Sequence, residues 1–321
     1  MSVTQFKGYT DIGTPSLTEV IEDNIVTYID WGFLELGAFF NIDIPSSGAY
    51  GGDRHKLRSI NDPRYTDGQI WEGYRQNWVW ESGLDYSTQP TSISGIFVDG
   101  EFYPKGSGYH INYKNGQVVF DTPIDTSSEV KLEYSHKWIT SIGSDNLSWL
   151  QQLQTHSFRT DDRLLSANSG IWNKLADSRL QLPFVAVETV NKEYEGYQLG
   201  GGQWARTEVL LHVVAENAQT AKRISSILSS QNEKTIYLFD PGKMADDNAF
   251  PLDYRGEIAS GALCYPDLIS PTGDGGYRYT SGTKGGKMRI FDITEQQTNQ
   301  LTNNVYHSKV RWNTEVILQK I

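Results

Sequence analysis

The residues of this chain that could carry out chemistry are concentrated in one stretch, IWEGYRQNWVWE at positions 70–81. It holds three tryptophans and one tyrosine, whose rings combine a flat apolar face with a polar edge and suit stacking on sugars. Glu72 and Glu81 lie beside these aromatic residues, and glycoside hydrolysis uses two carboxylates that meet in space rather than in sequence. The stretch therefore permits a sugar-binding platform, a glycosidase site or one face of a sheet.

The order of residues in this stretch favours the sheet face. Tyr74, Trp78 and Trp80 share one parity, and alternate residues of a β-strand point to the same side of a sheet. A continuous face of large aromatic side chains is more typical of a core or a subunit interface than of a sugar platform. We therefore expect all three side chains to be mostly buried, inside the fold or between subunits. A carbohydrate- or receptor-binding face is the alternative.

Two acidic or glycine-rich segments offer weaker chemistry. Asp246 and Asp247, near Asp240, could bind a divalent cation, but their spacing does not match a calcium loop and favours a solvated acidic loop. The segment SGTKGGKM at 281–288 lacks the first Gly and the final Ser or Thr of a phosphate-binding loop. The sequence thus predicts no metal, no cofactor and no catalytic residue.

The histidines and the cysteine also give no indication of a metal site or a catalytic residue. None of the six histidines lies within four residues of another, so no local pair of zinc ligands exists. His136 has the apolar parity of its segment, which predicts a partly buried imidazole. Cys264 is the single cysteine and cannot form an internal disulfide, so we expect a buried, inert thiol in a reducing compartment.

Composition sets wider limits. The 321 residues are 38% hydrophobic and 21% charged, as in ordinary globular proteins with a sizeable core. The formal charge of −11 disfavours a protein that grips nucleic acid, because that needs Lys and Arg to displace counterions. No apolar run is long enough to span a membrane, and the N-terminus lacks the pattern of a secretory signal.

A helix is predicted near the N-terminus, over 14–30. Apolar residues recur there at helical spacing, and Ser16 and Glu19 can form a capping box. The apolar run at 31–44 then predicts a strand or an extended segment.

The middle of the chain predicts antiparallel β structure. The hairpin at 108–120 contains Asn115-Gly116, and a two-residue turn there would pair Tyr113 with Val118. A second turn, Asp99-Gly100, lies between apolar strands. Residues 129–139 alternate between apolar and charged side chains, as a strand with one buried face does.

The C-terminal half predicts a strand–strand–helix–strand unit followed by two closing strands. Its expected parts are a short helix around 147–153, strands at 180–190 and 205–216 separated by a loop at 191–204, a helix at 217–230, a strand at 234–240, and strands at 287–293 and 303–319. The expected fold class is α+β. The expected domains are 1–60 (N-terminal helix and arm), 61–143 (antiparallel β) and 144–321 (mixed sheet with flanking helices).

Two segments resemble proteins of tailed bacteriophages. Residues 180–240, with their strand–helix–strand unit at 205–240, are similar to tail terminator and tail completion proteins. Residues 93–139 look like a β module of phage neck and virion structural proteins. Together the two segments make up about a third of the chain.

This resemblance implies a non-enzymatic structural protein of the virion, assembled in the host cytoplasm. It implies a homo-oligomeric ring, most often a hexamer, between the capsid connector and the tail tube or sheath, with no membrane contact. DNA would pass through the ring without specific binding. Three acidic residues in predicted loops are candidates for lining such a channel: Asp246, Asp247 and Asp274.

Overall fold

The computed structural model describes residues 15–44, 53–143, 181–196, 203–271, 275–279, 283–302 and 305–318. Within these ranges the chain forms four helices and sixteen strands in four sheets, an α+β fold as the sequence predicts. No helix of these ranges is long and apolar enough to cross a membrane. The helix predicted at 147–153 and the candidate Asp274 lie outside the described residues.

The elements follow one another in this order. The helices are α1 (Leu17–Glu35), α2 (Ala218–Ser229), α3 (Pro241–Asp246) and α4 (Tyr265–Leu268). The first ten strands are β1 (Phe39–Ile42), β2 (Arg58–Ser59), β3 (Ile70–Glu72), β4 (Gly95–Val98), β5 (Glu101–Pro104), β6 (Tyr109–Asn112), β7 (Gln117–Phe120), β8 (Val130–Leu132), β9 (Tyr134–Lys137) and β10 (Thr140–Ile142). The remaining strands are β11 (Phe184–Gly196), β12 (Gln203–Ala215), β13 (Thr235–Tyr237), β14 (Thr283–Glu295), β15 (Asn299–Thr302) and β16 (Val305–Leu318).

Helix α1 begins at the predicted capping box. The Ser16 hydroxyl accepts a hydrogen bond from the Glu19 N–H, and the Glu19 carboxylate accepts one from the Ser16 N–H. The helix runs past its predicted end at 30 because Phe33 continues the buried face. It ends at Glu35, and Gly37, two residues later, has a φ of 75°, the left-handed conformation that glycine adopts after a helix. The extended segment predicted at 31–44 therefore shrinks to β1.

The C-terminal region is one long sheet covered on one face by helices. Its order is β10-β11-β12-β16-β14-β13, with β15 beside β16, and every pair is antiparallel except β10–β11. Val209, Leu211 and Val213 of β12 share one buried cluster with residues of α1 and α2. The predicted order strand–strand–helix–strand is confirmed by β11, β12, α2 and β13.

The loop predicted at 191–204 is wrong over its first half. Strand β11 continues to Gly196 and pairs with β12 along its whole length, with a register shift between Thr189 and Asn191. This outer part of β11 is mostly exposed, and apart from Val190 and Tyr194 its side chains are polar on both faces. A strand of that kind lacks the apolar alternation by which a buried strand is recognised.

The middle region consists of short strands around an aromatic core. Its sheets are β2-β3-β7-β6, β5-β4-β8 and β1-β9. The predicted Asp99-Gly100 turn joins β4 to β5 with both residues at positive φ. The alternation at 129–139 is also real, but the segment divides, since β8 pairs with β4 and β9 pairs with β1.

The hairpin of β6 and β7 has a different register from the predicted one. Ile111 pairs with Val118, so four residues, 113–116, connect the strands instead of two. The backbone of Tyr113 pairs elsewhere: its N–H donates to the Gly256 carbonyl (3.0 Å), and its carbonyl accepts from the Trp78 N–H (2.8 Å). A shift of two residues leaves every side chain on its predicted face, because the side-chain period of a strand is two.

Contacts join the N-terminal helix both to the middle region and to the C-terminal region. The side chain of Asn24 in α1 donates to the Phe239 carbonyl (2.9 Å) and accepts from the Phe239 N–H (2.7 Å). The Lys137 ammonium of β9 lies 2.6 Å from both the Asp30 carboxylate of α1 and the Glu81 carboxylate. These contacts cross the proposed boundaries at 60 and 143, and the division into three domains stays a prediction.

Candidate functional site: an exposed aromatic strip

The tryptophan-rich stretch is not one strand. Strand β3 ends at Glu72, the chain bends through 74–77, and Asn77 has a positive φ of 52°. Trp78 then forms a single β-bridge with His136 of β9. The predicted common face of Tyr74, Trp78 and Trp80 is therefore wrong, because the bend breaks the alternation between Tyr74 and Trp78.

The three aromatic candidates have different environments. Trp78 is 1% exposed, as expected; its ring lies 4.6 Å from that of Tyr134, and its Nε1–H donates to the Arg75 carbonyl (2.8 Å). Trp80 is half-buried against the same core. Tyr74 is 54% exposed, so the expectation that it is buried within the chain is wrong. Whether any of them lies between subunits stays a prediction.

Tyr74 belongs to a row of rings at the protein surface. Phe40 of β1 is directly opposite His136 of β9, with ring centroids 5.6 Å apart. The His136 ring is 6.4 Å from that of Tyr74, and Trp138 is 6.3 Å from Phe40 on the other side. Phe40 is 52% exposed, whereas His136 is buried between its neighbours. We call these four side chains, Phe40, Tyr74, His136 and Trp138, the aromatic strip.

Two arginines give one end of the aromatic strip positive charge. The Arg54 guanidinium lies over the Tyr74 ring, 5.1 Å from its centroid. Burial is the main cause that lowers the pKa of His136 to about 4; the hydrogen bond to the Lys137 carbonyl opposes this change, and the charges of Arg75 and Arg54 contribute to it. His136 is therefore neutral near pH 7, so its Nδ1–H can donate to the Lys137 carbonyl (3.2 Å). The strip thus presents apolar rings with cations beside Tyr74.

A buried tyrosine holds this end of the strip in place. The Tyr134 hydroxyl accepts from the Tyr74 N–H (3.2 Å) and donates to the Arg54 carbonyl (3.0 Å). Tyr134 is fully buried, and burial raises its pKa to about 12, so the hydroxyl keeps its proton at neutral pH. The backbones that carry Tyr74 and Arg54 are thereby fixed to one rigid ring. Rigid aromatic residues beside an arginine are the usual composition of strong contact sites between proteins.

The two carboxylates considered for glycoside hydrolysis have separate partners. Burial raises the pKa of Glu81, the Lys137 ammonium opposes that rise, and one Glu81 oxygen lies 2.6 Å from that ammonium inside the protein. Glu72 accepts from the Gln76 side-chain amide at 3.5 Å. A carboxylate held by a buried lysine is not free to face a sugar, so the structure gives no support to this pair.

The acidic candidates lie in a helix, not in a loop. Asp246 ends α3 and Asp247 caps it, both exposed, and Asp240 caps its first turn by accepting from the Lys243 N–H (3.2 Å). The described residues contain no group of three or more His, Cys, Asp or Glu side chains placed to hold a metal ion. A channel-lining role for Asp246 and Asp247 stays a prediction.

The single cysteine is buried, as the sequence predicts. Cys264 is buried, its thiol lies 3.6 Å from the Ser82 carbonyl, and burial raises its pKa. It is therefore a protonated, unreactive thiol.

Sequence reasoning missed two members of this site. Phe39 and Phe40 are consecutive in a strand, so they must face opposite sides; Phe39 is buried and Phe40 is exposed. That signal was present in the sequence. Nothing in the segment DRHKLR at 53–58 indicates that Arg54, among its basic residues, covers Tyr74.

Comparison with known proteins adds no relative. No family model matches the sequence, and a search of the curated proteins finds no match. What the chain does is therefore inferred from its own residues.

Proposed function

We propose that this chain is a virion structural protein of a tailed bacteriophage. It forms a ring at the head–tail junction that joins the capsid connector to the tail and lets DNA pass. The observation that carries the proposal is the aromatic strip, in which Phe40 and Tyr74 are more than half exposed and Tyr134 holds the backbone of Tyr74 beside Arg54.

The strip is suited to contact with another protein. Phe40 and Tyr74 together expose apolar surface that a contact would remove from water, and full burial of such a ring contributes on the order of 2–3 kcal/mol. The hydrogen bond from the Tyr74 N–H to the buried Tyr134 hydroxyl holds the backbone of Tyr74, so little backbone freedom is lost there on binding. An arginine beside the rings adds a directional donor for a partner carboxylate or carbonyl.

The C-terminal region supports a ring in particular. The unit of β11, β12, α2 and β13 has the element order that we associate with tail terminators and tail completion proteins. The outer half of β11 is exposed and includes Val190 and Tyr194, each at least half exposed, whereas β12 lies between β11 and β16. An exposed strand of this kind can contact a neighbouring copy, and repeated contacts between unlike surfaces close into a ring when the rotation permits.

Electron microscopy of the full-length protein, alone and in native virions, tests the proposal. We expect a ring with a central channel, at the neck of the particle, formed in solution or only beside its neighbour in the virion. Tyr74→Ala should weaken assembly of the oligomeric ring. Tyr254→Ala, a change at an 88% exposed tyrosine far along the chain, should not weaken it. A virion map in which this chain is absent from the neck would contradict the proposal.

The exposure of Tyr74 also favours a second candidate, a carbohydrate- or receptor-binding component of the tail. An exposed ring beside an arginine can stack on a sugar while the guanidinium binds its hydroxyl or carboxyl groups. Adding oligosaccharides should then change the tryptophan fluorescence of the protein, and Tyr74→Ala should abolish that change. If oligosaccharides cause no change and electron microscopy shows a ring-shaped oligomer, the result supports the structural role over the sugar-binding role.

A further inference from the structure

The C-terminal sheet contains a hydrogen-bonded chain of three titratable side chains on three adjacent strands. His212 Nε2 of β12 lies 2.9 Å from a Glu188 oxygen of β11, and His212 Nδ1 lies 3.2 Å from His307 Nε2 of β16. The two rings are almost parallel, with centroids 5.4 Å apart. Both histidines are buried, and the Glu188 side chain is about one-third exposed. We call Glu188, His212 and His307 the histidine chain.

The partners determine where the protons lie. A carboxylate only accepts, so His212 donates from Nε2 and its neutral ring has a free lone pair at Nδ1. His307 must then donate from Nε2 to that lone pair. One extra proton can be added at His307 Nδ1 without loss of either hydrogen bond. A second would sit on His212 Nδ1 and set two N–H groups against each other at 3.2 Å.

The surroundings oppose charge on both rings. The histidine chain lies on the face of the sheet opposite α1 and α2, where Ala186 and Lys309 flank His212 in register and Asn299 of β15 is opposite His307. The charged groups on this face of the three strands include Glu188, Lys309 and Arg311 beside the histidines and, further along the strands, Glu193, Glu195, Arg206, Glu208 and Glu315. Burial is the main cause that lowers the pKa of both histidines, to about 4 for His307, and Lys309 adds to it.

The position of His307 determines which strands would separate from the sheet. It is the third residue of β16, and it pairs with Val214 on one side and Asn299 on the other. The short strand β15 is attached to the sheet only through β16 in the described residues. Separation of the two rings would therefore loosen β15 and the first residues of β16 before the rest of the sheet.

We propose that the histidine chain is an acid-sensitive latch that keeps β15 and the start of β16 closed while both imidazoles are neutral, and releases them when both become charged. This inference does not depend on the proposed function, since it concerns the response of the fold to pH. In a particle component, such a latch would let acid loosen one end of the sheet without unfolding the helices on its other face.

Amide hydrogen exchange of the full-length protein from pH 6.5 to pH 4 tests the latch. Protection factors in β15 and at 305–309 should fall at least tenfold more than those in α2, which covers the other face. His307→Gln should remove this difference, because its amide N–H₂ can donate to His212 Nδ1 but does not titrate in this range. His110→Gln, a change at a histidine of β6, should leave the difference unchanged. Equal losses in β15 and α2, or the same loss in His307→Gln as in the wild type, would overturn the proposal.

A second measurement decides the matter if His307→Gln does not fold. Nitrogen-15 NMR of labelled histidines in the wild-type protein reports tautomer and charge at each ring. We expect both His212 and His307 as neutral Nε2–H tautomers at pH 6. Titration of either ring near pH 6.5, or an Nδ1–H tautomer of His212, would exclude the latch.

Discussion

The middle region and the C-terminal sheet are stabilised in different ways. Strands of the middle region are two to four residues long, and its core is built from large rings such as Trp71, Trp78 and Tyr134. Those rings also hydrogen-bond to the backbone, for example from Trp71 Nε1 to the Gly68 carbonyl (2.9 Å). The C-terminal strands run to 14 residues over a mainly aliphatic core. Where the ladders are short, individual side chains define the fold; where they are long, the backbone does.

Replacing the central ring of the middle region gives the largest expected effect. Trp78→Ala removes the stack on Tyr134 and the bond to the Arg75 carbonyl, and should lower the free energy of unfolding by about 3–5 kcal/mol. Denaturant unfolding measures the loss. Trp80→Ala, at a half-buried position nearby, is the control and should cost clearly less. Equal losses would mean that the ring of Trp78 has no special part in the middle region.

The buried ion triad tests whether the two regions are coupled. Lys137→Met leaves Asp30 and Glu81 as neighbouring buried carboxylates, and should destabilise the protein by about 3–5 kcal/mol at pH 7. Because Asp30 belongs to α1, the loss should appear in unfolding of both regions, measured by tryptophan fluorescence and by amide exchange. Lys131→Met is the control, since Lys131 pairs with Glu129 near the surface. A loss confined to the middle region would show that the regions fold independently.

Acid should affect the two regions through different histidines. The folded-state pKa of His136 is lowered to about 4, below its unfolded value near 6.5, so its neutral form costs no stability above pH 6.5. As pH falls from 6.5 to 4, the unfolded state binds the proton first, and stability falls by up to about 3 kcal/mol. His136→Asn keeps a donor for the Lys137 carbonyl and should remove this loss.

Thermal unfolding of the wild type and His136→Asn between pH 7 and pH 4 provides the measurement. His307→Gln, which changes the C-terminal sheet, serves as the comparison. The effects of the two substitutions on the acid-induced loss of stability should add, because the two sites are in separate regions. An unchanged acid response in His136→Asn would contradict the neutral, buried state of this ring.

The smallest expected effect on stability belongs to the proposed contact surface. Tyr74→Ala should change the free energy of unfolding by less than about 1 kcal/mol, because the side chain is more than half exposed. Its effect on ring formation should be larger, and sedimentation velocity at several concentrations would measure it. A large loss of stability with unchanged assembly would make Tyr74 a structural residue of the middle region.

The parts of the fold that were predictable from the sequence are those with local causes. The capping box at Ser16, the turn at Asp99-Gly100 and the helix at 218–229 each rest on residues close together in the chain. The register of the β6–β7 hairpin was not predictable, because the backbone of Tyr113 pairs with Trp78 and Gly256, which are distant in sequence. Local turn preference lost to these long-range partners.

The sequence predicted which stretch supplies aromatic residues to the candidate site, but not how they are arranged. Aromatic parity marked the right stretch, but the bend at 74–77 depends on packing: a side chain at Gly73 would contact the Trp78 ring at 2.7 Å, and Asn77 adopts a left-handed conformation. The exposed strip depends on Phe40 packing beside His136, and on His136 and Arg54 packing beside Tyr74. The histidine chain joins residues up to 119 positions apart, which no local pattern reveals.

The packing of α1 has a consequence for the order of synthesis. Its apolar face, including Ile21, Ile25 and Phe33, packs mainly against β10 and β11, which are about 105–160 residues later in the chain. At roughly 5–20 residues per second, a ribosome needs about 5–30 s to make that part of the chain. The first helix of the nascent chain therefore stays uncovered on its apolar face during that time. The same buried cluster also contains residues of β16, so a prematurely terminated chain cannot complete its core.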